Sequence, residues 1–204
     1  MTDAVEIVSD LVKIPSVSPF GRNETERRER FERCREVLAY LEEFLQKQGA
    51  QTEQLVFEGG HDKWWYPVPN LYAELTIGDR KAADHKFLCY MGHIDVVPVG
   101  EEKLWRRPPF SGQIDEGFVW GRGATDMKGS VGAWISALEK LKAGKGVGVN
   151  LTIGTLITGD EEWAAVNGSD KVLAWMKANG KNPDAFIVGE PSSRDYLGTH
   201  IKTG

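Results

Sequence analysis

Short apolar runs that alternate with helical patterns are the feature that most constrains how this chain folds. The strand patterns at 86–91 and 184–188 contain the runs FLCYM and AFIV, which are apolar on both faces of an extended backbone, and the pattern at 149–157 contains the β-branched and aliphatic run LTIGTLI. Further strand patterns lie at 52–57, 70–77 and 112–120, the last of them broken at Asp115–Gly117. Helical spacing of apolar residues covers 2–13, 24–48, 127–142 and 169–179. Because two-sided apolar strands are typical of covered parallel sheets, the alternation predicts a three-layer α/β domain with a mostly parallel central sheet.

Charge and cysteine content exclude several classes of protein. The 204 residues carry 25 Lys and Arg against 30 Asp and Glu, a net charge of -5, whereas nucleic-acid-binding surfaces are basic. No stretch approaches the roughly 20 apolar residues of a membrane span, and the first residues lack the pattern of a secretory signal. The two cysteines, Cys34 and Cys89, do not form a disulfide framework. We therefore expect a cytoplasmic protein without nucleic-acid or membrane partners.

Two regions are predicted to be surface features without a functional role. The Arg/Glu mosaic of the helix at 24–48 indicates a solvated helix face. Residues 58–69 (EGGHDKWWYPVP) indicate an irregular surface loop, in which Trp64 and Trp65 are expected to be packing anchors.

Acids, histidine and glycine are concentrated in four segments that each follow a predicted strand. These segments are Met91–Asp95 (MGHID), Gly121–Gly129 (GRGATDMKG), Thr158–Glu162 (TGDEE) and Gly189–Ser193 (GEPSS). Open α/β sheets bind their ligands beyond the carboxyl ends of the strands. The four segments are therefore expected to form one site.

The first two segments are ambiguous when each is taken alone. His93 and Asp95 are two residues apart, so they point to the same side of an extended backbone, and a carboxylate can hold one ring proton while the other nitrogen binds metal. For this pair alone, an ordinary strand-end histidine is the favoured interpretation. Asp126 lies where a helix begins, and capping that helix is as good an explanation as binding a ligand.

The last two segments favour a metal. Three consecutive carboxylates after a buried strand repel one another at low dielectric, and a bound cation relieves that repulsion. Solvent exposure is the alternative explanation. One imidazole with several carboxylates suits Zn²⁺, Co²⁺ or Mn²⁺, and the surplus of acids indicates a two-metal site with a spare carboxylate as general base. The carboxylates of this set are those of Asp126, Glu161, Glu162 and Glu190.

The four segments together resemble the N-terminal half of the M20 family of metallo-aminoacylases and peptidases. The motifs GHIDVVP, GRGATDMKG, TGDEE and GEPSS occur in the family's order, with a W…PPF segment formed by Trp105, Pro108, Pro109 and Phe110. The resemblance implies the following roles. His93, Asp126 and Glu190 bind one zinc, Asp126 bridges to a second zinc that Glu162 also binds, Glu161 is the general base, and Asp95 orients His93. It also implies a cis peptide between Asp126 and Met127.

The resemblance further implies metal-assisted hydrolysis of a small N-acyl amino acid, with two Zn²⁺ per complete site and Co²⁺ as a possible substitute. The segments after Thr158 are most similar to those of the family's desuccinylases, and its deacetylases share much of the same pattern. A non-catalytic metal-binding fragment is the alternative from another class.

The chain departs from the family pattern at its C-terminal side. Residues 1–204 correspond to the N-terminal part of the catalytic domain. The family's lid, through which the complete enzyme is expected to form a homodimer, is not present, nor is the C-terminal segment with the histidine of the second zinc. His61, His85 and His200 lie in no matching motif, and we predict that they are surface histidines.

Overall fold

The computed structural model describes residues 3–18, 21, 23–59, 66–144 and 148–192. In this part of the chain the helices are α1 (Ala4–Lys13), α2 (Glu24–Lys47), α3 (Gly129–Ala143) and α4 (Ser169–Ala178). The strands are β1 (Gln51–Gly59), β2 (Tyr66–Ile77), β3 (Lys86–His93), β4 (Gln113–Asp115), β5 (Phe118–Trp120), β6 (Leu151–Thr158) and β7 (Ala185–Val188). Every helix and strand that the sequence patterns predict is present, with small shifts of the ends.

The central sheet has five strands in the order β1-β2-β6-β3-β7, and β4 and β5 form a separate two-stranded sheet. β3 pairs in parallel with both β6 and β7, whereas β2 pairs antiparallel with β1 and with β6. The α/β class is confirmed. Parallel pairing is confined to the half of the sheet formed by β3, β6 and β7, so the sheet as a whole is mixed.

The predicted loop at 58–69 is wrong at both of its ends. Glu58 pairs with Pro67 and Gly59 with Tyr66, so both flanks belong to an antiparallel β1–β2 ladder. The two prolines of β2, Pro67 and Pro69, lie beyond the end of β6, because the β2–β6 ladder begins at Asn70. No described strand pairs with the two prolines on that side, so no hydrogen bond from a backbone N–H is lost there. Sheets tolerate proline at such positions. Trp64 and Trp65 lie outside the described residues.

Helices cover both faces of the sheet, which confirms the three layers. On β2, Leu71 and Ala73 point into a core cluster shared with α1, α2 and α3. Tyr72 between them points to the opposite face, as the alternation of a strand requires, and packs with residues of α4. The α4 side chains in that second cluster are Val172 and Met176.

The predicted solvated face of α2 is confirmed. Its exposed side carries ion pairs one turn apart, such as Arg33 with Glu36, while Cys34, Leu38, Leu41 and Leu45 are buried on the other side. The helix begins at the cap of Asn23, whose side-chain oxygen accepts a hydrogen bond from the Glu26 N–H at 2.9 Å. None of the described helices is long and apolar enough to cross a membrane.

Candidate metal centre

The parallel strands bring three of the four motif segments to one edge of the sheet. His93 ends β3 directly opposite Thr158, the last residue of β6, so the acids after Thr158 emerge beside the imidazole. On the other side of β3, the Gly189 N–H donates to the Met91 carbonyl at 3.0 Å, which carries Glu190 to the same edge. The fourth segment supplies Asp126 from the helical turn Ala124–Lys128 ahead of α3. The peptide bond between Asp126 and Met127 is cis, as the resemblance implies.

The imidazole of His93 lies at the centre of this cluster of acids. Its Nε2 is 3.2 Å from Asp126 Oδ1, 3.4 Å from Glu190 Oε1 and 3.8 Å from Glu161 Oε2. The ring is only 1% exposed, whereas the side chains of Asp126 and Glu161 are 50% and 48% exposed. The cluster is therefore closed on the side of the sheet and open to solvent on the other.

The separations between these atoms match the dimensions of a zinc site. Two sets of residues each offer ligand atoms within 4.8 Å of one another: His93 with Asp126 and Glu190, and His93 with Glu161 and Glu162. Ligands at about 2.1 Å from a tetrahedral zinc lie about 3.4 Å apart. The distances from His93 to Asp126 and Glu190 therefore suit one ion without a change of backbone.

The ring of His93 is hydrogen-bonded to the backbone of Asp95 rather than to its carboxylate. Nδ1 is 2.9 Å from the Asp95 carbonyl oxygen, and the nearest carboxylate oxygen lies 3.6 Å away. A carbonyl only accepts hydrogen bonds, so Nδ1 carries the proton and Nε2 is left free to bind a cation. The Asp95 carboxylate still lies within ion-pair distance of the ring, so its role in orienting His93 stays a prediction.

The carboxylate of Asp95 holds the acidic loop after β6. Its oxygens accept hydrogen bonds from the backbone N–H of Glu161 at 3.1 Å and of Glu162 at 3.0 Å. Asp95 is fully buried, and burial raises its pKa to about 6. Asp95 thus links the strand that carries His93 to the loop that carries two further acids.

The charges of the site favour a bound cation. Burial lowers the pKa of His93, but the carboxylates of Asp95, Glu190 and Glu161 raise it by more, so the net shift is upward. Burial also raises the pKa of Glu162, as do the neighbouring carboxylates Asp126, Glu161 and Glu190. A metal ion at Nε2 relieves the same repulsion that otherwise favours protons at these groups.

Only two of the three consecutive acids face the site. Asp160 is 1% exposed and turns the other way, where its oxygens accept hydrogen bonds from the Tyr66 hydroxyl and the Asn167 N–H, each at 3.0 Å. The sequence offers no signal that separates Asp160 from its two neighbours. The prediction that all three carboxylates repel one another at the site is therefore wrong for Asp160, which anchors the loop.

A buried lysine that the sequence analysis did not single out supports the turn of Asp126. Lys128 is fully buried, and its Nζ donates to the Leu11 and Ile14 carbonyls at the end of α1, each at 2.8 Å. Burial lowers the pKa of Lys128 to about 7. These two bonds attach the Asp126 turn to the end of α1, where the Leu11 and Ile14 carbonyls also accept hydrogen bonds from the N–H groups of Ile14 and Ser16.

A second histidine for the site is missing from the described residues. His85 lies at the opposite end of β3 from His93, about 26 Å away at roughly 3.3 Å per residue. Its Nε2 is 2.9 Å from Thr152 Oγ1. His61 and His200 lie outside the residues that the structure describes.

The fold and the site define an α/β domain with a candidate metal centre at the edge of its sheet, and comparison with known proteins places the chain in a family. Residues 89–203 match the model of peptidase family M20/M25/M40. The chain belongs to this family.

Three relatives show how far the likeness extends. A protein of Xanthobacter autotrophicus named succinyl-diaminopimelate desuccinylase is 37% identical over 198 residues, which are 97% of this chain and 46% of that protein. The crystal structure of human carnosine dipeptidase 1 matches with a TM-score of 0.73 and 25% identity, covering 95% of this chain and 39% of that one. The crystal structure of the M20 family metallo-carboxypeptidase of Sulfolobus solfataricus matches with a TM-score of 0.69 and 26% identity, covering 95% of this chain and 38% of that one. The chain thus spans less than half the length of each.

Proposed function

We propose that this chain is the metal-binding part of a zinc-dependent desuccinylase. The reaction converts N-succinyl-LL-2,6-diaminopimelate and water into succinate and LL-2,6-diaminopimelate. The observation that carries the proposal is the convergence of His93, Asp126 and Glu190 at separations that suit one zinc. The 37% identity to the Xanthobacter protein supports the substrate, and the resemblance of the motifs supports a cytoplasmic place in lysine biosynthesis.

The described residues divide between metal ligands and a base. His93, Asp126 and Glu190 would hold one Zn²⁺. As the family resemblance implies, Asp126 with Glu162 would provide part of a second site that also accepts Co²⁺. A metal bound at these residues would polarise the amide carbonyl as a Lewis acid and would make a bound water more acidic. The second histidine, the lid and the dimer contact are expected from the C-terminal half of the complete protein, which this chain does not cover.

Glu161 is the residue proposed to move protons. Its carboxylate is about half exposed and 3.8 Å from His93 Nε2, so water reaches it at the edge of the cluster. Its backbone is fixed by Asp95, which limits how far the carboxylate can move. Glu161 would accept a proton from the attacking water at Oε2 and deliver it to the leaving amine nitrogen.

The proposal is tested with a substrate panel on this chain joined to its own expected C-terminal half, because the half that carries the lid contributes to substrate preference. The panel compares N-succinyl-diaminopimelate, N-acetylornithine and a dipeptide at equal metal occupancy. We expect kcat/KM for the succinyl substrate to exceed the other two by at least tenfold. The matched control carries His93→Ala, which removes the shared imidazole and abolishes all three activities.

Each other outcome identifies a different function. Preference for N-acetylornithine would make the protein an acetylornithine deacetylase, the substrate alternative left open by the motifs. Preference for the dipeptide would agree with the likeness to human carnosine dipeptidase 1. Stoichiometric metal binding without hydrolysis of any substrate would support the alternative that the chain is a non-catalytic metal-binding fragment.

A further inference from the structure

Three residues beneath the candidate metal centre contact the segments that carry His93, Asp126 and Glu190. These residues, Tyr90, Met127 and Ser130, are called the Tyr90 cluster here. Tyr90 lies on β3 three residues before His93, and Ser130 lies in the first turn of α3, four residues after Asp126. Tyr90 is 2% exposed and Met127 is fully buried.

A glycine precedes both His93 and Glu190. In each case the Tyr90 cluster fills the space that a side chain on that glycine would need. A β-carbon on Gly92 would lie 2.9 Å from the Met127 methyl group and 3.0 Å from the Tyr90 hydroxyl. A β-carbon on Gly189 would overlap the Ser130 and Tyr90 hydroxyls and lie 2.7 Å from the same methyl group. Such distances are shorter than van der Waals contact. The cluster is therefore packed directly against the backbone that leads into two ligands.

The cluster is itself held rigidly. The Tyr90 hydroxyl is 2.6 Å from Ser130 Oγ, which joins β3 to α3. The Tyr90 ring stacks on Trp134 of α3 with centroids 4.7 Å apart and an angle of 11°. The Trp134 N–H in turn donates to Thr155 Oγ1 on β6 at 2.9 Å. Tyr90 thus cannot move without disturbing α3 and the sheet.

We propose that Tyr90 and Ser130 are positioning residues whose hydroxyl pair sets the distance between Glu190 and the ligands His93 and Asp126. This inference rests on the proposed function, because it needs a metal at those three side chains. The pair touches Gly189 on one side and is fixed to the helix that follows Asp126 on the other. Removing a hydroxyl leaves space beside Gly189, so Glu190 can move away from the imidazole and bind metal less well.

The test uses zinc titration of the 204-residue chain and its variants, followed by calorimetry and by competition with a chromophoric chelator. Tyr90→Phe keeps the ring and its stacking and removes only the hydroxyl, and Ser130→Ala removes the partner. Each should weaken the first zinc by about 10- to 100-fold, the usual effect of residues that orient metal ligands. The double variant should lose no more than the worse single variant, because the two hydroxyls act as a pair. The Co²⁺ absorption spectrum should change in parallel.

Tyr72→Phe is the matched control. It removes another buried tyrosine hydroxyl, which donates to Glu74 at 2.7 Å on the other face of the sheet. We expect it to lower the thermal midpoint of the metal-free protein and to leave zinc affinity within twofold. Should Tyr90→Phe fail to fold by circular dichroism, Ser130→Ala carries the test.

The outcomes separate this inference from the proposed function. Wild-type zinc affinity and an unchanged Co²⁺ spectrum in both Tyr90→Phe and Ser130→Ala would overturn the positioning role and leave the proposed function intact. An equal loss of affinity in Tyr72→Phe would also overturn it, because the effect would then be general destabilisation. A wild-type chain that binds no zinc would overturn the proposed function and this inference together.

Discussion

At the scale of single residues, Glu161 and Glu162 are neighbours with different surroundings. Both backbone N–H groups bind the carboxylate of Asp95, so the two side chains start from a common anchor and diverge. Glu161 is exposed to solvent, whereas Glu162 is partly buried, and burial raises the pKa of Glu162. The exposure of Glu161 supports its proposed role as the base that exchanges protons with water, and the proposed role of Glu162 as a metal ligand rests on the family resemblance.

Glu161→Gln should therefore separate binding from turnover in a protein that hydrolyses the succinyl substrate. The amide cannot accept a proton at neutral pH, so kcat should fall by about 10²–10⁴-fold, the usual contribution of a general base. Metal content by atomic absorption should stay at the wild-type value. Glu162→Gln is the matched control and should instead lower metal content. Near-normal turnover in Glu161→Gln would contradict the assignment.

The residues that converge at the site could be predicted from the sequence, but their orientations could not. His93, Asp126, Glu161, Glu162 and Glu190 meet because strand ends and the helix start after them share one edge of the sheet, which is a property of the fold class. Whether Asp95 contacts His93 through its carbonyl or its carboxylate depends on the turn after β3. Asp160 and Glu161 point in different directions because of the geometry of the turn after β6. The pattern of residue types does not predict that geometry.

At the scale of helices and strands, hydrophobic periodicity predicts which elements form but says less about how the strands pair. The apolar runs of β3 and β6 are mostly buried, as their composition indicates. The same prediction is wrong for β7, because all four of its residues are exposed. The sequence predicts both β1 and β2 but assigns their facing ends, Glu58–Gly59 and Tyr66–Pro69, to a loop, because Pro67 and Pro69 are unusual inside a strand. The two prolines lie beyond the end of β6 because of the register between β2 and β6, and a single sequence does not reveal that register.

A buried acid on β2 links the sheet to the segment after α4 and should make stability depend on pH. Glu74 accepts hydrogen bonds from the Tyr72 hydroxyl at 2.7 Å and from Lys181 Nζ at 3.1 Å, and Arg80 lies 3.3 Å away. Burial raises the pKa of Glu74, but these three partners lower it by more, so the net shift is downward. A carboxyl with a lowered pKa stabilises the fold above its ordinary pKa, and this contribution is lost as the pH falls through the folded-state value.

Glu74→Gln should accordingly lower the free energy of unfolding by about 1–3 kcal/mol at pH 7, the range for hydrogen bonds to charged groups. The difference from wild type should shrink as the pH falls below about 4, because the wild-type carboxyl then becomes neutral as well. Urea unfolding at several pH values measures both effects. Glu53→Gln, an exposed glutamate on the neighbouring β1, should change stability little at any pH. A pH-independent cost for Glu74→Gln would contradict the role of its charge.

At the scale of the whole molecule, the two edges of the sheet differ in polarity. The β1 edge exposes Glu53, Gln54 and Glu58, which discourage pairing with another strand. The β7 edge exposes Phe186, Ile187 and Val188 at 42%, 44% and 59%, with no charge among its four residues. An apolar, uncharged edge strand of this kind is a template for pairing with another strand.

The isolated chain should therefore self-associate through β7. Sedimentation velocity between micromolar and hundred-micromolar protein should show a concentration-dependent increase in mass. Ile187→Lys places a charge on the apolar edge and should suppress that increase. Val56→Lys makes the same kind of change on β1, where Val56 is 49% exposed, and should have no effect. Equal association of all three proteins would show that β7 is not the contact.

The number of metal ions held by the isolated chain depends on how the complete site is divided between the two halves of the protein. One ligand set, His93 with Asp126 and Glu190, lies entirely within the described residues. The proposed second site has only Asp126 and Glu162 in addition to water, because the family resemblance places its histidine in the C-terminal half. Zinc sites in proteins use three or more protein ligands, so two carboxylates bind weakly.

Calorimetric titration of residues 1–204 should consequently give one tight zinc and a second that is weaker by at least 100-fold. The same sample should hydrolyse little succinyl substrate, because positioning of the substrate by a lid can supply roughly 7–11 kcal/mol of barrier lowering. His93→Ala should remove the tight ion, and Glu162→Ala should remove only the weak one. Two tight ions with rapid hydrolysis by this chain alone would mean that the second site takes its remaining ligand from within these 204 residues, and His61 and His200 would then be the first histidines to replace.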